Sequence, residues 1–173
     1  MHRVVVPLAL AALLLNGCGN GGVPHRTWVA KVCQTLGPWR DRITTLNSQA
    51  STQMKAAKTP AQTRDDLVQL LDGAGAATEQ ARAKVAAAGV PDVTDGAAIA
   101  HRFEAALARA RDAYTKASGG IKGLPEQDAT AFYAGVKSTM DTLTKDYTQA
   151  GVDTGKLASA QLRQDFDEVP ECA

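Results

Sequence analysis

Few residues in this chain have the types and spacing that chemistry requires. His101 and Glu104 stand three apart and so share one face of a helix, the spacing that metal-binding bundles use for paired Glu and His ligands. A carboxylate-bridged centre draws further ligands from the other helices, whereas the remaining apolar stripes offer only Ala, Leu, Val, Phe and Tyr. The pair is therefore expected on a solvated face, with no metal. Asp165, Asp167 and Glu168, with Glu171 beside them, could draw a divalent cation or a basic partner, but a solvated edge is the simpler expectation. His25 needs no role beyond surface exposure. No GxSxG, HExxH, glycine-rich phosphate loop or cysteine–histidine nucleophile arrangement occurs. The reading is of a protein that is not an enzyme and carries no cofactor.

Composition agrees with that reading. The chain has 173 residues, 45% of them hydrophobic but only 5% aromatic, and 32 alanines supply much of the apolar character. Such a composition favours helices. The 19 basic and 18 acidic residues nearly cancel, so no basic excess exists to neutralise phosphates, and nucleic acid is not an expected partner.

The N-terminus carries an address. Met1, His2 and Arg3 precede an apolar run from Val4 to Leu15, about twelve residues. A membrane-spanning helix needs about 20 apolar residues and a signal-peptide core about 7 to 15, so residues 1–17 read as an export signal. Leu15-Asn16-Gly17-Cys18 resembles a bacterial lipobox, with Asn16 as the departure from the usual small or branched residue at that position. The resemblance implies lipidation of Cys18, and acyl chains contributing about 0.8 kcal/mol per buried CH₂ would hold the protein to the membrane. Residues 18–24, rich in glycine, then form a flexible tether, and the folded domain is expected over 25–173. Loss of residues 1–17 removes Arg3 alone among charged groups, leaving 18 basic against 18 acidic residues.

With Cys18 assigned to lipid, Cys33 and Cys172 remain as an even pair in an oxidising compartment, and a disulfide between them is expected. Two buried or reactive thiols are the alternative. No CxxC or HxxxH partner spacing makes the pair a zinc site.

The elements that must position these groups are helices. Val29, Val32, Leu36, Trp39, Ile43, Leu46, Ala50 and Met54 step by threes and fours, with a kink or short break expected at Gly37-Pro38. A second stripe runs through Leu67, Leu71, Ala74, Thr78, Ala81, Val85 and Ala88, opened by the capping box Thr59-Pro60-Ala61-Gln62. A third uses Ile99, Phe103, Ala106, Ala110, Tyr114 and Ala117 and is expected to break at Gly119-Gly120. A fourth, opened by Pro125 and closed by Gly151, uses Phe132, Val136, Met140, Leu143 and Tyr147. A short C-terminal helix carrying Leu162 and Phe166 follows Ser159 as N-cap.

The fold class is all-α, an antiparallel up-down four-helix bundle with a kinked first helix and a short C-terminal helix. Gly73, Gly75 and Gly135, on helix stripes, point to close helix approach, a small interhelical cavity being the alternative. Trp28 and Trp39 fall about three turns apart near one face; core anchors are expected, an exposed interaction surface being the alternative.

Taken together, VCQTLGPW at 32–39, AAAGVPDVTDGA at 86–97, ARDAY at 110–114, AFYAGV at 131–136 and FDEVPEC at 166–172 resemble small secreted lipoproteins of actinomycetes, a family without a characterised activity. The resemblance implies an exported helical protein with a paired cysteine framework and carries over no catalytic residue. The functional expectation is a lipid-anchored protein on the extracytoplasmic face of the cell membrane, a non-enzymatic module binding another envelope protein or a cell-wall component. A carrier or sensor of a small apolar ligand held between the helices is the alternative.

Overall fold

The computed structural model describes residues 21–56 and 59–173, so the export signal and Cys18 lie outside the described residues. The capping signals work as their chemistry requires. Thr59 accepts from the Gln62 amide at the start of α2 (Pro60–Ala87), and Asp128 accepts from the Ala131 amide at the start of α4 (Ala129–Ala150). Gly151 closes α4 with φ 66°, a left-handed conformation that costs glycine nothing. Ser159 caps the short α6 (Ala160–Glu168), which follows the four-residue α5 (Thr154–Leu157) and leads into a 3₁₀ turn at Pro170–Cys172.

At two places where a break was expected the helix is continuous. The first helix, α1 (His25–Ala56), runs unbroken through Pro38, because the proline ring sits on an exposed face while Leu36 and Trp39 are anchored in the core on either side. The third, α3 (Gly96–Lys122), continues past Gly119-Gly120. Ile121 is fully buried beyond the glycines, and Ser118 and Lys122 both donate to Asp72 on α2, at 2.6 and 2.9 Å, so tertiary contacts override the glycine penalty.

The register follows from the cross-helix bonds. Asp72 meets Ser118 and Lys122 while Glu79 meets Arg111, so α2 and α3 run antiparallel as the central pair. On α1, Trp28 donates to the Gly89 carbonyl at 2.8 Å and Trp39 to Thr78 Oγ1 at 3.0 Å, making α1 antiparallel to α2. On the other flank, Arg109 donates to the Ala150 carbonyl and Lys116 to Asp146, making α4 antiparallel to α3.

Four antiparallel helices would ordinarily close with α1 against α4, yet no Cα of one lies within 8 Å of the other. The fourth wall is split instead. Around Trp28, Val32, Val85, Phe103 and Leu107 it is supplied by the C-terminal segment, through Leu162 and Val169. Around Leu67, Leu71, Ala117 and Ile121 it is supplied by α4, through Leu143. The reason is length: α4 meets α3 only from about Arg109 onward, which leaves the first half of α3 to α5 and α6.

The entering chain is held earlier than a tether ending at residue 24 implies. Val23 bridges to Pro91, its amide donating to the Val90 carbonyl at 2.7 Å and its carbonyl accepting from Asp92 at 2.8 Å. Beside this bridge, a Cβ added at Gly96 would run into the Pro91 carbonyl oxygen, a backbone atom that cannot swing away. At Gly135 the obstacle is the flexible tip of Leu124. Gly96→Ala should therefore cost about 3 kcal/mol or more through forced backbone movement, while Gly135→Ala should lie within about 1 kcal/mol of neutral, since better helix propensity offsets the repacking. Chemical denaturation of the two variants checks this; equal losses would refute it. Of the other two glycines tied to close packing, Gly73 lies tight against Leu46, whereas a Cβ at Gly75 would make ordinary contacts.

Candidate functional site

His101 is exposed and Glu104 half-buried on α3, and among the described residues no third His, Cys, Asp or Glu joins them to make a metal-holding group. The acidic cluster divides. Asp167, Glu168 and Glu171 are exposed, but Asp165 is 4% exposed and does not belong to a solvated edge. Its Oδ2 lies 2.6 Å from His25 Nδ1, and Arg26 stands 3.7 Å from Oδ1 while donating to Glu168 at 2.8 Å. His25 thus has a role that surface exposure leaves out, tying the first turn of α1 to α6 and compensating a buried carboxylate. The signal was present in the spacing: Leu162, Asp165, Phe166 and Val169 fall on one helix face, so Asp165 is carried inward by its apolar neighbours.

Trp28 and Trp39 are 0% and 6% exposed, and the alternative that they form an interaction surface is overturned. Trp28 packs edge-on against Phe103 with ring centroids 5.3 Å apart. Trp39 ties to Thr78, whose hydroxyl donates on to the Ala74 carbonyl at 2.7 Å, so both indole N–H groups are satisfied inside the fold. Cys33 and Cys172 form a disulfide with Cα atoms 5.0 Å apart, fastening the end of the chain to α1.

Two titratable arrangements connect the helices. Tyr114 and Tyr147 face each other with ring centroids 5.6 Å apart, and burial, with the partner phenol behind it, pushes the Tyr114 hydroxyl well above the usual range. On the opposite flank, hydrogen bonds from Arg82 and then Arg111 hold the Glu79 carboxyl down at about 2. Asp72 is lowered by Ser118 and Lys122, and Glu168 by Gln164 and Arg26. All three carboxyls are depressed in the fold and ordinary in the unfolded chain, so their stabilisation is complete above the unfolded values of 3.8 for Asp and 4.5 for Glu and is lost as pH falls, for Glu79 down to about 2. Melting temperature should thus be nearly flat above about pH 5 and decline below it. Glu79→Gln should decline less steeply on acidification, and a slope equal to that of the parent chain would contradict this account.

Open grooves run along helix pairs among the described residues. Between α3 and α4, adjoining depressions of about 180 and 240 Å³ share Ala113, Lys116 and Asp146. Between α1 and α2, adjoining depressions of about 100 and 170 Å³ share Arg42. A further hollow of about 200 Å³ lies beside the disulfide, next to Arg40 and Phe166. The α1–α2 groove was missed by the sequence reading, although its polar residues repeat at helical spacing beside the buried stripes: Thr35, Arg42, Gln49 and Gln53 on α1, Gln69, Gln80 and Lys84 on α2. The class these features define is an all-α bundle with a split fourth wall and a disulfide-fastened C-terminus. Compared with known proteins, the chain matches no family, no curated protein and no solved structure.

Proposed function

We propose that this chain is a lipid-anchored envelope protein that acts by binding, outside the cytoplasm, rather than by catalysis. The observation that carries the reading is the placement of the entering chain. Val23 is fixed to the α2–α3 loop at one end of the bundle, five residues after Cys18. An acyl anchor on Cys18 would hold that end near the bilayer, while α1 and α2, of 32 and 28 residues, extend about 40 to 50 Å from it. The long grooves then face the surroundings along the sides of the bundle. Their openness suits a surface partner, another envelope protein or a wall component, better than an apolar ligand sealed between helices.

Fractionation of cells expressing the full chain tests the anchor. The protein should partition with membranes and gain the mass of acyl chains at an N-terminal Cys18, and Cys18→Ala should release it. Parent protein found soluble with an unmodified Cys18 would overturn the proposal. Crosslinking in intact envelopes should recover a reproducible partner; repeated recovery of none would count against the binding role.

A further inference from the structure

We infer that the outer groove between α1 and α2 binds an extended acidic polysaccharide, a chain of sugar rings bearing carboxylates. This names a partner for the binding role proposed above and rests on that reading. Arg42, Gln49 and Gln53 line the groove from α1, and Gln69, Gln80 and Lys84 line it from α2. None of these six side chains makes a hydrogen bond or ion pair among the described residues. Arg42 shares this with Arg40 on the same helix, whereas Arg26 and every arginine from Arg64 to Arg163 donate to a carboxylate or carbonyl within the fold. No acidic residue lines the groove; the acidic residues of the two helices, Asp41, Asp65, Asp66, Asp72 and Glu79, lie outside its lining.

The chemistry of the lining selects the occupant. A primary amide both donates and accepts, as a sugar hydroxyl does, so four glutamines offer paired hydrogen bonds without charge. The Arg42 guanidinium matches a carboxylate through two parallel N–H bonds, and Lys84 adds a second cation. The exposed Pro38 ring, with Trp39, Leu46 and Leu70 and the small residues Gly73 and Ala77, supplies apolar surface for the C–H faces of sugar rings. The lining on α1 runs from Thr35 to Gln53, about 27 Å at 1.5 Å per residue, whereas each depression is smaller than the 300 Å³ or more of a compact-ligand pocket. A thin, hydroxylated, anionic chain fits what remains.

The test measures binding of fluorescent polygalacturonate oligomers to the purified full chain in detergent, at low salt. Polygalacturonate should bind at least about tenfold more tightly than dextran, which lacks carboxylates, and than poly-glutamate, which lacks hydroxyls. Arg42→Gln combined with Gln80→Ala should weaken binding about tenfold or more, with the melting temperature unchanged because both side chains are exposed and unpaired. Lys116→Ala, in the α3–α4 groove, should leave binding unchanged. The inference is overturned if polygalacturonate does not bind, if the double variant binds as the parent does, or if Lys116→Ala causes the loss. Equal binding of poly-glutamate would also overturn it, assigning the groove to acidic proteins. Since the measurement does not depend on acylation, its failure is separate from a failure of the Cys18 fractionation.

Discussion

Replacing Cys33 and Cys172 together by serine is expected to lower unfolding free energy by as much as about 5 kcal/mol, the chain-entropy value for a closed loop of 139 residues. Nearly the whole domain lies inside that loop, so the unfolded chain gains the maximum freedom from its opening. At about 2 to 4 °C per kcal/mol for a domain of this size, the melting temperature should fall by about 10 to 20 °C. The loss should also be polar in space. The C-terminal segment supplies the wall over Trp28 and Phe103, so amides of α6 should lose hydrogen-exchange protection before those of α4. A double serine variant within about 1 kcal/mol of the parent would show that α6 docks without the staple.

Trp28→Ala should cost about 3 to 5 kcal/mol, the range for truncating a buried large aromatic. Trp28 is fully buried, meets Phe103 edge-on, and donates to the Gly89 carbonyl beside the Val23 bridge. The substitution opens a cavity where α1, α2, α3 and α6 converge and leaves that carbonyl without its donor. Trp28→Phe separates the contributions: most of the ring packing is retained, and the loss should shrink to roughly 1 to 3 kcal/mol for the missing N–H and the residual void. Urea unfolding of both variants decides the matter. Equal losses would mean that the hydrogen bond, rather than the ring volume, holds this end of the bundle together.

Much of the architecture was legible along the chain. All seven positions of the second stripe are buried, because on an isolated amphipathic helix the 3.6 period and the core-facing stripe are the same information. The first stripe holds except at Ile43, which is half-buried, and at its end, where Met54 is 37% exposed. The disulfide was legible because Cys33 and Cys172 are the even pair left once Cys18 is set aside. The two expected breaks failed for one reason: Pro38 and Gly119-Gly120 carry a local penalty, but the sequence does not display the burial of Trp39 or Ile121, or the Asp72 bonds, that outweigh it. His25 and Asp165 lie 140 residues apart, and no local pattern joins them.

By itself, then, the sequence determined the helical class, the start of α2 at Thr59, the close of α4 at Gly151 and the cysteine pairing, all of which depend on local propensity, period or counting, whereas α4 opens behind Asp128 rather than at the expected Pro125 because the Asp128 carboxylate caps the Ala131 amide. Only the tertiary structure decided that α4 covers half of α3 while the C-terminal segment covers the rest, that Asp165 is buried against His25, and which polar side chains stay unpaired. These outcomes depend on which surfaces meet in space. Two glutamines of identical local setting can end against a neighbouring helix or along an open groove, and the difference is made by helix lengths and docking angles summed over the whole chain.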